Sequence, residues 1–284
     1  VDAASDRLYV AHTSNDAVDV IDCAALRYVD SVNGLTAVAG ALVSAARGLV
    51  FTSNRGENTV SVFRPEAAEE AVKIAVGVKP NGLAFDPTRG VLIAANVGDP
   101  AIPDSFTVSV VDVERRERIA EIQVPGRTRW AVYDAVHDMF CVNIASPPKI
   151  IGIAAGNPRA IAIEFDIPAA GPHGLDIDPA GGSLFCACDA GVLLQVDAAS
   201  GRVRAEVVLS GAPDVIFLNA ATSRLYVAIG DPGVIDVIDT STMHRVETVD
   251  TEPGAHTLAL DRKRNRVFAF LPETHRAAVY RDDA

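Results

Sequence analysis

Apolar and polar residues alternate along this chain in runs of four to seven, and each run is bounded by Asp, Asn, Gly or Pro. Alternation with a period of two over such short spans predicts β-strands rather than helices. The runs also come in a fixed order. An apolar strand ending in Asp or Asn is followed by a small or polar turn, a Leu-Tyr-Val-like strand, a polar loop and a strand closing on Asp. The second strands of successive copies begin at Leu8, Val50, Leu92, Met139, Leu184, Leu225 and Val267, in steps of 42, 42, 47, 45, 41 and 42 residues. A period in the low forties with several short strands per copy predicts a β-propeller and argues against a helical solenoid. The expected fold is all-β: one domain over residues 1–284, a seven-bladed propeller of four-stranded antiparallel blades, with one blade incomplete at the chain ends.

The fifth copy shows the unit in full. His173–Asp178 is its innermost strand, Leu184–Cys188 the second, Val192–Val196 the third and Val203–Leu209 the fourth, with turns at Pro179–Gly182 and Asp197–Gly201. Several strands are apolar on both faces, as blades sandwiched between neighbours require. Val1-Asp2 matches only the tail of an innermost strand, and no fourth strand follows Ala277–Tyr280. These ends predict that the native protein extends upstream of Val1. In an up-and-down blade the tight turns after strands one and three gather at one end. The longer, variable loops gather at the other, which is where a site is expected.

The second strands Leu8-Tyr-Val-Ala-His12, Val50-Phe-Thr-Ser-Asn54, Leu92-Ile-Ala-Ala-Asn96 and Leu225-Tyr-Val-Ala resemble the Tyr-Val-Thr-Asn repeats of the YVTN family of β-propellers. The third strands Val18–Asp22, Val108–Asp112 and Ile235–Asp239 resemble that family's third strand, and copies four, five and seven depart from the pattern. The resemblance covers the whole chain and implies a seven-bladed propeller, often periplasmic or extracellular, with no single reaction attached. No third strand closes on Trp-Asp, which disfavours a WD40 propeller, and Trp130 is the sole tryptophan.

Charge narrows the partners. A formal net charge of −12 argues against nucleic acid and anionic membranes, which need basic surface. No apolar run approaches the roughly 20 residues of a membrane-spanning helix. Cys23, Cys141, Cys186 and Cys188 lie on or beside strands and read as small buried hydrophobes rather than metal ligands, and they leave the redox compartment open.

Candidate chemistry emerges when the innermost strands are aligned on their closing residue. Five positions earlier, at the mouth of the channel, successive blades present Ala39, Asn81, Arg129, His173, Asp214 and His256. His173, Asp214 and His256 come from three consecutive blades, and two imidazoles with a carboxylate are competent ligands for a divalent ion such as Zn, Cu or Mn. The competing reading is a polar, solvated rim with no ligand. A wider set from the ends of the second strands comprises His12, Asn54, Asn96, Asn143 and Cys188; its asparagines read as turn residues bonded to local backbone, and His12 as a further ligand contact. Copy three carries a stiff acidic insertion, Val97–Ser105, and copy four brings Arg127, Arg129, Trp130 and Lys149 to the same variable end. Arginines there suit a small anionic ligand, with Asn81, Arg127, Arg129 and His12 as the binding candidates.

No nucleophile elbow, phosphate loop, dinucleotide-binding glycine motif or His-Glu-x-x-His helix occurs in the chain. Three functions remain open. The first is a binding module that recognises a small ligand or a partner protein at the channel-mouth, variable-loop face. The second is a metal-dependent lactonase or lyase built on His173, Asp214 and His256, with Arg129 orienting an anionic substrate. The third is a structural surface repeat with no ligand.

Overall fold

Closing aspartates decide where the strands end. In the computed structural model, which describes residues 1–283, Oδ1 of Asp22 accepts the backbone N–H of Ala24 and Ala25, that of Asp86 those of Thr88 and Arg89, and that of Asp134 those of Val136 and His137. Asp239 does the same for Ser241 and Thr242. Each carboxylate folds back on its own turn and satisfies amides that the strand ladder has left behind. The Asp at the end of each apolar run is thus the start of a hairpin.

The strands so bounded pair in sequence order into seven antiparallel sheets. Blades two to six have four strands each, while the first sheet (Arg7–His12, Ala17–Asp22, Arg27–Asn33) and the last (Leu258–Asp261, Arg266–Leu271, Arg276–Arg281) have three. In the first sheet the innermost position is held by a single bridge between Asp2 and Arg7. The second strands begin at Arg7, Leu49, Val91, Met139, Ser183, Arg224 and Arg266, within one residue of the sequence expectation. Two 3-10 turns, Thr13–Asn15 and Pro65–Glu70, are the helical segments among the described residues. This is the fold of a seven-bladed β-propeller.

The chain divides into two compact units, residues 1–142 with 151–163, and residues 143–150 with 164–284. In the first, blades two and three bury Phe51, Val60, Leu83, Phe85 and Leu92 between them, the rings of Phe51 and Phe85 lying 4.6 Å apart. In the second, Phe185, Leu193, Ile216, Leu218 and Val227 do the same between blades five and six. Packing on both faces is why the second and third strands of these blades are buried at nearly every position.

One irregularity recurs. The innermost strands Val38–Ser44, Pro80–Asp86, Pro172–Asp178 and Pro213–Asn219 each slip register against their second strand, between Val38 and Gly40, Pro80 and Leu83, Pro172 and Leu175, and Pro213 and Ile216. Asn81, His173 and Asp214 therefore sit in β-bulges, which turn a side chain away from the regular pleat. The next residue is Gly40, Gly82 or Gly174 in three of the blades, and a Cβ there would lie 2.9, 2.5 or 2.4 Å from the carbonyl oxygen of Asn81, Arg129 or Asp214 in the following blade. Blades approach one another at the bulge because glycine leaves room.

Candidate functional site

Each unit carries a group of polar side chains on its variable loops. In the first unit a cavity of about 400 Å³ is lined by Arg55, Lys79, Val97, Gly98, Pro100, Phe106 and Arg127. Arg55 follows the second strand of blade two, Lys79 precedes the innermost strand of blade three, and Arg127 precedes that of blade four. The Val97–Ser105 insertion supplies one wall. Backbone bonds from Val97 N–H to the Lys79 carbonyl and from Gly98 N–H to the Val78 carbonyl anchor its start. Asp99 N–H donates to Ser105 Oγ, whose hydroxyl returns a bond to the Asp99 carbonyl, closing the loop at its base. Lys79 Nζ meets Asp99 Oδ2 at 2.8 Å and holds that carboxyl below the usual carboxylate range.

Of the predicted ligand contacts, Arg127 lines this cavity directly, and Asn81 joins it by accepting a 2.7 Å bond from an Arg55 guanidinium nitrogen. Arg129 is half-buried at the second position of Thr128–Asp134, and its backbone backs against Gly82; it is not a lining residue. His12 lies in the first blade, where Nδ1 is 2.9 Å from Asp19 Oδ2. Lys149 contributes no open charge, because Glu164 and Asp166 of its own blade's outer strand engage it at 3.0 and 2.7 Å. Arg55, Lys79 and Phe106 were not singled out by sequence. Arg55 and Lys79 sit within two residues of positions that were, Asn54 and Asn81, so a search extended to the flanking connections finds them.

In the second unit, His173, Asp214 and His256 do converge. His173 Nε2 is 3.1 Å from Asp214 Oδ1, and His256 Nε2 is 3.9 Å from Asp214 Oδ2. The structure adds Asp189, whose Oδ1 is 2.7 Å from His173 Nδ1. His256 Nδ1 lies 2.6 Å from the Gly254 carbonyl. His173 thus stands between two carboxylates with both ring nitrogens engaged, which fixes the ring. A metal ion would have to displace one of these carboxylates from the ring. Among the described residues no group of three or more His, Cys, Asp or Glu side chains is arranged to hold an ion.

The asparagines of the wider set behave differently from expectation. Asn54 and Asn96 are fully buried strand ends, not turn residues. Asn54 Nδ2 donates to Thr59 Oγ1 and Ser61 Oγ, and Asn96 Nδ2 to Thr107 Oγ1 and Ser109 Oγ, tying second strands to third. Asn143 reaches instead to the backbone carbonyls of His173 and Gly174 in blade five. All four cysteines are buried free thiols; Cys186 donates toward Asn143 Oδ1, and its sulfur lies 3.8 Å from that of Cys188. No helix among the described residues is long and apolar enough to cross a membrane.

No protein-family model and no curated protein matches the chain in sequence. Solved structures match it in fold. Hydrazine synthase of Kuenenia stuttgartiensis superposes with a TM-score of 0.85 at 14% identity, over 100% of this chain and 94% of that one. A functionally unknown protein from Desulfotomaculum acetoxidans gives 0.81 at 13% identity, over 98% and 92%. A chain of a mitotic checkpoint complex gives 0.80 at 12% identity, over 97% and 84%. At such identities the likeness establishes the seven-bladed propeller and nothing finer.

Proposed function

We propose that this propeller is a binding module that takes a small anionic ligand in the cavity between the connections of blades two, three and four. The observation that carries the reading is the lining itself: three cationic side chains, Arg55, Lys79 and Arg127, meet around one cavity in a chain of net charge −12. Guanidinium groups present paired N–H donors matched to carboxylate and phosphate oxygens. The Tyr-Val-Thr-Asn-like strands support placing the chain with that repeat family, and through it a periplasmic or extracellular setting.

The test is a titration with inorganic phosphate, followed by the fluorescence of Trp130, which lies three residues beyond Arg127. Saturable binding that weakens tenfold or more in Arg127→Ala is the expected result, since a charge-assisted hydrogen bond contributes about 1.5–3 kcal/mol and about 1.4 kcal/mol is tenfold in affinity. Equal behaviour of the parent and an Arg55→Ala/Arg127→Ala variant sinks the reading.

A metal-dependent lactonase or lyase is the second reading, favoured by the approach of His173 and His256 to one carboxylate, Asp214. Elemental analysis of protein prepared without chelators, beside a His173→Ala/His256→Ala variant, decides it. Near-stoichiometric metal in the parent alone is its expected outcome, and metal in neither ends it.

A further inference from the structure

The lining of the cavity is divided by chemistry: Arg55, Lys79 and Arg127 are cationic, whereas Val97, Pro100 and Phe106 are apolar. An anion site that served an inorganic ion alone would have no use for the second half. Volume points the same way. Water occupies about 30 Å³ per molecule in the liquid, so a cavity of about 400 Å³ has room for about a dozen groups of that size, well beyond one tetrahedral anion.

The apolar half is built into the backbone. Gly98 adopts φ +71°, and a Cβ there would fall 2.6 Å from Phe106 Cδ1 and 2.9 Å from the Ser105 carbonyl. Glycine at 98 is what lets the Phe106 ring lie flush against the loop. The ring is half-buried and stands just before the buried Thr107, at the cavity rather than in the core between blades. Of the three cations, Lys79 is matched by Asp99, and the two guanidinium groups line the cavity beside it. Asn81 steers one of them through its bond to Arg55.

Resting on the binding reading above, we infer that the ligand is an amphipathic organic anion: a phosphate, sulfonate or carboxylate head held by Arg55 and Arg127, carried on a ring or short chain that lies on Phe106, Val97 and Pro100. The loop closed at its base and the glycine-seated ring shape this site from the chain's own backbone.

Three probes separate the halves of the argument: phenyl phosphate, inorganic phosphate and phenol, each titrated calorimetrically into the parent, Arg127→Ala and Phe106→Ala. Phenyl phosphate is expected to bind the parent at least tenfold more tightly than inorganic phosphate. Phe106→Ala should reduce that preference to threefold or less. Arg127→Ala should weaken both phosphates. Phe106→Leu, which keeps an apolar side chain, serves if the alanine variant shows a lowered unfolding midpoint. Equal affinity of the parent for the two phosphates overturns the amphipathic ligand and leaves the anion-binding module standing. Failure of both phosphates to bind, or phenol binding as tightly as phenyl phosphate, overturns the module and this inference with it.

Discussion

Alanine at Gly174 tests how the blades are spaced. Its Cβ would stand 2.4 Å from the Asp214 carbonyl oxygen and 3.1 Å from Ile216 Cγ2. The first of these is backbone, so no rotamer change relieves the contact. Restoring an ordinary separation of 3.4 Å requires the innermost strands of blades five and six to part by about 1 Å. Overpacking of this kind costs about 1–3 kcal/mol. At about 2–4 °C per kcal/mol for a chain of 150–250 residues, slightly more than that size here, the melting temperature should fall by roughly 2–12 °C. Gly230→Ala is the matched control. Its φ is not left-handed, and its nearest foreign atom, His256 Cβ, lies at 3.5 Å. There the loss of unfolded-state freedom should stabilise by about 0.4–1 kcal/mol. Differential scanning calorimetry on both variants gives opposite signs if the argument holds. Separation of the strands should also disturb the 3.1 Å approach of Asp214 to His173, visible as a shift in that imidazole's proton resonances. Matching melting temperatures for the two variants refute the account of the bulge glycines.

Two further predictions rest on titration and burial. The Asp239 carboxyl is drawn down to about 2, first by the Ser241 hydroxyl and then by the turn amides and Arg224, from an ordinary 3.8. A depressed carboxylate stabilises the fold above its unfolded value and loses that contribution as pH falls through the folded value. The gap in melting temperature between the parent and Asp239→Asn should therefore be steady at pH 5 to 7 and close between pH 4 and 2. The four cysteines are buried, and burial pushes the Cys141 thiol up to about 12. Iodoacetamide at pH 8 should label none in the folded protein and all four in denaturant, as read by intact mass; rapid labelling of the folded chain contradicts the placement of these strands.

Much of the fold was legible because a blade is specified locally. Alternation sets each strand, an Asp sets most of the turns, and the period sets the count; the second strands accordingly fell within one residue of expectation. Alignment on the closing residue also found the convergence of His173, Asp214 and His256, since equivalent positions in neighbouring blades lie side by side. The same alignment missed Asp189, which follows the second strand of blade five in a connection of no fixed pattern. It missed Arg55 and Lys79 for the same reason. The error over Asn54 and Asn96 has a different origin. Asparagine at a strand end is a turn former by propensity, but here Ser61 and Ser109, at the third position of the adjoining strand, offer hydroxyls from inside the sheet. That pairing could be read only once second and third strands are set in register.

The aspartates that close the hairpin turns have a consequence for how this architecture diversifies. Each carboxylate bonds amides two or three residues downstream, as at Asp86, Asp134 and Asp239, so hairpin register is written within a few residues at one end of the blade. Strands pair with their sequence neighbours, which gives the chain a low contact order for an all-β protein and confines the effect of an insertion to the blade that carries it. The connections at the opposite end are then free to vary in length and charge. The insertion that walls the cavity in blade three is one such change, and the strand pairing on either side of it continues unbroken from Asn96 to Thr107. Strand pairing is fixed at one end of the blade, so a connection at the other can lengthen without renegotiating the fold.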